Sequence, residues 1–509
     1  MEHKVLFGLE TEYGITRDDP SGIDVVAESI ALVRAAQDEG VQMKWDYSCE
    51  DPHLDARGFR VDELRQDTDE ANYYAQDRDR PMSYTEIKSD LVLKTGARWY
   101  NDHAHPEYCT PECSTLLELL QQDFIGDQLA MTCAEAVTAA DPNVNRVRIY
   151  KNNTDFQGHS YGCHENYLMP RSLHWRDLSA SMVAFLTTRQ IFCGAGKYGW
   201  EDEDTFIGDG FQISQRGDFF RVIESVDTMQ RRPIVNTRDE PHADASHWRR
   251  FHVIAGDANL SPFANYLKVG TTAAVLEALA NGAPLDRVPK LASPVETIIA
   301  LSRDRDWKWE CWLADRTPTT AIEVQRAYLE LAREFTELND ERQLLLAEWS
   351  RILDDLERDP IVTADRLDWS AKFELIETFR ENEGVAENDP WIRSLDLSYH
   401  LLDRNEGLFF ALLDQGSFRL PFGSESLNRT NVSPPATTRA ALRGALVDRF
   451  AEDVEAAQWD HVRLKFSDGL LDIDLRSAFD PNKISKAVEV VQNARSVGDL
   501  VGIPEILRG

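Results

Sequence analysis

Between Val5 and Gly14 an apolar run passes into Glu10 and Glu12, two carboxylates at the spacing that puts both on one face of a strand. The period then changes. Val25, Ile30, Val33 and Ala36 recur at roughly helical spacing between Asp24 and Gly40, so an amphipathic helix ending at the glycine is predicted. Alternation returns further on: Arg98, Tyr100 and Asp102 fall on one face of a strand, and Ala97, Trp99 and Asn101 on the other. Pro106 is expected to end that ladder, leaving Glu107 at a bend from which its carboxylate turns back toward the same side. Cys113 to Ala140 reads as helix, Val144 to Tyr150 as a strand, residues 172 to 270 as a mixture, and Asn259 to Leu279 as helix again. From Thr320 to Asp359, Ile322, Ala327, Leu329, Leu331 and Phe335, then Leu344, Leu345, Trp349 and Leu353, outline two helices with charged outer faces. In Asp368 to Leu413, Trp369, Lys372, Trp391 and Tyr399 are assigned to helix packing.

A shift toward Ser, Gly, Pro, Asn and Thr between Gly416 and Thr438 marks the expected domain boundary, with a large unit over 1–430 and a small one over 438–509. The small unit reads as a helix from Arg439 to Ala457, a strand from Val462 to Phe466 and a closing helical segment. There is no internal repeat or low-complexity tract. The acid-rich stretch from Lys44 to Asp90 interrupts the large unit, with Asp62 to Ala75 reading as helical and Asp77 to Pro81 as exposed. A connection of this length inside a compact domain is functional or disordered.

Composition narrows the class. The 509 residues, 42% hydrophobic and 28% charged, suffice for a large core and more than one domain. No apolar run approaches the roughly 18 residues that a membrane helix needs, and no basic-then-apolar leader opens the sequence, so a cytoplasmic protein without a membrane partner is expected. The seven cysteines are scattered. Cys109 and Cys113 have three residues between them rather than two and no matching second pair, so neither a disulfide framework nor a zinc site is expected. A net charge of -33 argues against a nucleic-acid partner.

Four stretches carry candidate chemistry. Neighbouring carboxylates repel unless a cation joins them, so Glu10 and Glu12 form a candidate divalent-metal site whose oxygen ligands favour magnesium or manganese; an acidic solvent face is the alternative. Arg98, Tyr100 and Asp102 bring a cation, a phenol and a carboxylate together, and with Glu107 they suit a metal-bound phosphate plus a nucleophile or base; a solvated edge strand is the alternative. In Lys151 to Leu168, Gly158 and Gly162 bracket a turn leading into His164, Glu165 and Asn166. Arg232 to Lys268 is dense in Arg, His, Asp and Asn, and the planar fork of Arg238 suits a phosphate.

Together these stretches resemble one family. GLETEYG, NDHAHPEY, KNNTDFQGHSYGCHENYL and RPIVNTRDEPHAD, with GDAN and YLKVGTT after them and TRAALRG and AAQWDHV near the carboxy terminus, are similar to the Pup ligase and Pup deamidase/depupylase family of the carboxylate-amine ligases. The resemblance covers nearly the whole chain. It implies an α+β fold: a glutamine-synthetase-like catalytic domain with a curved antiparallel β-sheet packed by helices, plus a small C-terminal domain. The Lys44 to Asp90 insertion, beginning WDYSCEDPHLDARGF, and the Asp102-His-Ala-His-Pro-Glu context resemble the depupylase branch rather than the ligase branch, which has Gly-Ser before His-Pro-Glu. The insertion is expected near the active site, modulating access.

The resemblance also implies roles. Glu10, Glu12, Glu107 and His164 would hold magnesium, with Tyr100 at or near the ion. Arg98, Thr110, Arg216, Arg238 and Trp459 would contact ATP, or ADP plus phosphate, with arginines on the phosphates and tryptophan on the base; His252 is a weaker candidate for the same region. Asp102 would act at the reacting carbonyl. The implied substrate is the side-chain amide of the C-terminal glutamine of Pup, or the isopeptide bond joining Pup to a lysine, which makes the enzyme a hydrolase. Its partners would be Pup, pupylated proteins and, indirectly, a proteasomal ATPase ring. Pup in this family is acidic, so a local basic groove is needed, for which Arg231, Arg232, Arg249 and Arg250 are candidates; pairing with nearby carboxylates is the alternative. A Pup ligase, a more distant carboxylate-amine ligase and a Pup-binding module remain competing readings.

Overall fold

The computed structural model describes residues 5–18, 22–64, 80–141, 146–202, 205–229, 231–423, 433–467 and 469–508. Its centre is a seven-stranded sheet of β1 (Phe7–Glu12), β2 (Gly40–Gln42), β3 (Leu91–Leu93), β4 (Arg98–Asp102), β5 (His105–Cys109), β6 (Cys163–Pro170) and β7 (Trp248–Val253). The spatial order is β7-β6-β1-β5-β4-β3-β2, and every neighbouring pair is antiparallel. The alternation in β1 separates its faces as predicted: Phe7, Leu9 and Thr11 are buried on one side, while Gly8, Glu10 and Glu12 face the other.

The buried face is covered by helices. α1 (Val25–Ala35) packs on β4 and β5, α3 (Leu116–Ala140) on β1, and α4 (Pro262–Ala280) on β6; the short α2 (Tyr84–Lys88) leads into β3. α3 starts at a capping box, with Thr115 and Glu118 satisfying each other's backbone amides, and α4 starts with Ser261 as cap and Pro262 at its first position. Leu9, Leu119, Tyr167, Phe251 and Leu267 lie in the core formed between the layers. Tyr108 seats against Gly126 of α3, where an added Cβ would lie 2.4 Å from its ring.

The α+β architecture agrees with the sequence reading, but several local expectations do not hold. Pro106 does not end the ladder. The β4–β5 hairpin turns at His103 and Ala104, with His103 in the left-handed region (φ 54°), and Pro106 sits in the returning strand opposite Asn101. Glu107 is therefore a mid-strand residue, paired with Tyr100 on one side and Glu12 on the other. Of the helix-packing residues, Trp391 is 65% exposed and Leu344 is 40% exposed. The expected helix over Asp62 to Ala75 lies mostly outside the described residues, as does Val144.

The C-terminal segment differs too. Helix α5 (Arg439–Phe450) stops short of Ala457, and the chain continues as β8 (Val454–Gln458), β9 (His461–Phe466) and β10 (Gly469–Asp474), then α6 (Pro481–Asn493). These elements share a core of Leu442, Leu446, Val462, Leu464 and Val491. Two ties attach it to the main sheet. Residues 44–46 run beside β8, with Ala457 N–H bonding Lys44 O at 2.8 Å and Asp46 N–H bonding Ala457 O at 3.0 Å. α5 also closes on the Lys94–Gly96 turn, where a Cβ on Gly96 would meet Ala440 O at 2.7 Å and one on Gly444 would meet Lys94 O at 2.3 Å.

Candidate active site

Antiparallel pairing across the open face lines up residues distant in sequence. Glu10 stands opposite His164 on β6 and Cys109 on β5, Cys109 opposite Arg98 on β4, and Glu12 opposite Glu107, which faces Tyr100. Asn166 stands opposite His252. Apart from Asn166, which lines a smaller neighbouring pocket, these residues line a cleft of about 660 Å³, whose wall also includes Asp102, Arg216, Arg238, Arg250 and Trp459. Two donor clusters result. Glu12, Asp102 and Glu107 offer oxygens within 4.8 Å of one another, as do the donor atoms of Glu10, His164 and His252. The all-carboxylate cluster fits a hard divalent cation, while the second brings one carboxylate and two imidazoles.

The electrostatics follow from that crowding. Burial and then the carboxylates of Asp102, Glu10 and Glu12 push Glu107 well above the usual carboxylate range. Burial acts in the same direction on Glu10, but the bond to His164, followed by the charges of His252 and Arg250, holds it well below that range. His164 Nδ1 lies 3.2 Å from Glu10 Oε2, and Asn166 Nδ2 donates to Glu10 Oε1 at 2.8 Å. Burial, then Arg250, lowers His252, whose Nδ1 is 2.9 Å from Asn166 Oδ1. Asp102 is raised by burial but lowered more by Lys88 and His103, and ends below its ordinary value.

The other sequence candidates are placed differently from one another. Arg98 is stacked between Trp45 and Tyr100, 3.9 and 3.7 Å from the ring centroids, and donates to Asp90 and Tyr47. Arg216 is fully buried, and its Nη1 donates to Ile254 O at 2.6 Å. Arg238 follows β-type contacts with the insertion: Ala56 N–H bonds Thr237 O at 2.7 Å and Asp239 N–H bonds Leu54 O at 2.9 Å. Thr110 Oγ1 accepts the Leu9 amide at 2.9 Å. It lines a smaller pocket of about 90 Å³ with Phe7, Leu168, His242, Phe479 and Trp459. Trp459 sits in the β8–β9 turn with its ring 5.3 Å from that of Trp45. Glu165 points to the opposite face, where Arg189 Nη1 donates to it at 2.9 Å.

Of the arginines considered for a basic groove, Arg232 and Arg250 line the cleft. Arg232 is buried and donates to Thr228 O and Ser160 O, Arg249 is buried over Trp175, and Arg250 belongs to the cleft, 3.6 Å from Glu10; Arg231 is exposed. Arg232 and Arg249 are thus turned inward, against carbonyls and a ring. Sequence reasoning also missed residues the cleft depends on. Lys88 Nζ lies 2.6 Å from Asp102 Oδ1, and Arg439 and Arg443 clasp Glu112 at 2.6 Å each, fixing the Trp459 turn whose carbonyl Arg443 also bonds. The TRAALRG motif carried the signal for that clasp. Lys88 lay within the insertion and carried none.

A family model described as Pup-ligase protein matches residues 5–463. The chain belongs to the Pup ligase family. It is 38% identical over 471 residues to a protein of Acidothermus cellulolyticus named Depupylase, covering 90% of either chain. It is 36% identical over 472 residues to the Pup deamidase/depupylase of Mycolicibacterium smegmatis, covering 90% of this chain and 91% of that one. A Pup–protein ligase of a Nocardioides species is 36% identical over 389 residues, 75% of this chain and 85% of its own. Two solved Pup ligase structures share the fold. The complex of Pup with its ligase PafA matches with a TM-score of 0.75 and 28% identity, over 98% of this chain and 94% of that one. The ligase bound to ADP matches with 0.71 and 31%, over 86% and 95%. Among the described residues, no helix of this Pup ligase family member is long and apolar enough to cross a membrane.

Proposed function

We propose that this protein is a nucleotide- and magnesium-dependent amidohydrolase of the cytoplasm that deamidates the C-terminal glutamine of Pup and cleaves the isopeptide bond between Pup and a lysine. Both bonds are amides of one carboxyl group, so one site serves both. The observation that carries the reading is the position of Asp102, a carboxylate kept ionised by Lys88 yet within 4.8 Å of the Glu12 and Glu107 oxygens. Such a group can attack an amide carbonyl carbon or activate the nucleophile that does. Similarity to named depupylases over 90% of the chain, against 75% for the named ligase, supports hydrolysis over ligation.

In this reading Glu10, Glu12, Glu107 and His164 would hold magnesium, with Tyr100 beside them. A magnesium ion held there would supply neutralisation of phosphate charge and polarisation of the carbonyl oxygen. Arg98, Arg216 and Arg238 hold the nucleotide phosphates, His252 lies at the same end, and Thr110 and Trp459 line the pocket for the base, an arrangement consistent with the ADP complex of the related ligase. The small unit over 438–509 contributes Trp459 and so completes the nucleotide pocket. Asp102 acts at the reacting carbonyl.

The test is the intact mass of Pup ending in glutamine after incubation with the protein, magnesium and ATP. Conversion of amide to acid adds about one mass unit, and Asp102→Asn abolishes it. A ligase, the second reading favoured by the two structural matches, instead leaves that mass unchanged and joins Pup ending in glutamate to a lysine-bearing protein.

A further inference from the structure

Lys88 is the last residue of α2, at the far end of the insertion, and is 9% exposed. Its Nζ approaches Asp102 Oδ1 to 2.6 Å and lies 5.5 Å from the Tyr100 ring and 5.8 Å from the Tyr84 ring, within reach of cation–π attraction to both. The helix that carries it is held from several sides. Ser83 and Glu86 form a capping box, Arg34 of α1 donates to Glu86 O at 3.1 Å, and Asn101, the neighbour of Asp102 in β4, donates from Nδ2 to Ile87 O at 3.2 Å. Beyond Lys88, Ser89 takes the left-handed conformation and bonds Arg34, and Asp90 engages Arg98. The chain around Lys88 is thus pinned to the strand that carries Asp102, and the ion pair is held in one geometry rather than sampled at the surface.

Resting on the reading of Asp102 given above, we propose that Lys88 is a positioning residue for hydrolysis: it occupies Oδ1 of Asp102 and fixes the carboxylate plane, so that Oδ2 is the oxygen presented to the scissile carbonyl. A carboxylate with a free torsion offers either oxygen in many orientations, and small errors of placement cost large factors in rate. The insertion thereby contributes to the chemistry itself, through one side chain.

The experiment measures Pup deamidation under saturating nucleotide and magnesium. Lys88→Met, which keeps the aliphatic stem of the side chain without the ammonium, is expected to lower kcat by about 10- to 100-fold while KM for Pup changes by less than about twofold. In Lys88→Ala, propylammonium added to the assay restores part of kcat and propanol does not. Unchanged or increased kcat in Lys88→Met, or a loss confined to KM, overturns the proposal. If Lys88→Met is too unstable to assay, the rescue of Lys88→Ala decides: recovery with the amine upholds the role, and none overturns it. An active Asp102→Asn enzyme would instead remove the reading of Asp102 itself, whereas an inactive Asp102→Asn beside a fully active Lys88→Met removes only the role of Lys88.

Discussion

Arg98 and Asp90 form a buried pair in which Nη2 and Nε donate to the same carboxylate oxygen at 2.6 and 2.8 Å. Asp90 has no exposed surface, so losing the guanidinium leaves a carboxylate enclosed without its cation. Arg98→Met is expected to destabilise the protein by about 3–5 kcal/mol. The double variant Arg98→Met/Asp90→Asn should be more stable than the single one, since the stranded charge is gone. Urea unfolding of the four proteins checks the cycle, and strictly additive losses would contradict it.

Trp459 is carried on a two-residue turn between β8 and β9, edge-on to Trp45, and lines the small pocket assigned to the base. Stacking of a base on an aromatic ring contributes about 1–3 kcal/mol. Trp459→Ala should therefore weaken nucleotide binding by about 10- to 100-fold, and Trp459→Phe by much less. Calorimetric titration with ADP measures both; equal affinities for the wild type and the alanine variant would place the base elsewhere.

Much of this site was legible because strand periodicity assigns faces. Glu10 with Glu12, and Arg98 with Tyr100 and Asp102, could be placed side by side from their spacing, and the structure puts each set on the open face of the sheet. Pairing between strands was not legible. Nothing in the spacing sets Glu107 opposite Glu12, and a proline was read as a ladder's end although β5 carries Pro106 within its pairing. The end of α5 was missed because Arg439 to Ala457 stays helical in composition, while the pairing of β8 with β9 and with residues 44–46 takes Val454 to Gln458 into the small sheet. Lys88 and Glu112 escaped notice because their partners lie in other elements.

Glu112 illustrates the consequence for stability against pH. Burial alone would raise its carboxyl, but Arg443 and then Arg439 bring it down from the ordinary 4.5 to about 2. A depressed folded value means that the contribution is complete above about 4.5 and is lost as pH falls through about 2. At neutral pH Glu112→Gln should cost on the order of 3 kcal/mol, and the difference from wild type should shrink steadily as the pH is lowered through that window. Denaturant unfolding at a series of pH values follows it. A difference that stays constant down to the lower end would show that the two arginines act without the charge of Glu112.

The same accounting gives the carboxylate cluster a sign that can be tested without any assay of activity. Glu107 is enclosed, paired with Tyr100 and Glu12 across the sheet, and raised by its acidic neighbours, so in the absence of a cation it is a source of repulsion. Glu107→Gln keeps the shape and removes that charge. In buffer containing a chelator the variant should melt about one degree above the wild type, the shift that about 1 kcal/mol gives in a chain of this size. Adding magnesium should reverse the order, because the cation binds the folded wild type and stabilises it by mass action, while the variant has lost a ligand oxygen. The crossing of the two melting temperatures between chelator and magnesium is the expected result. If magnesium raises both by the same amount, Glu107 is no ligand and the ion is held by other residues of the cleft.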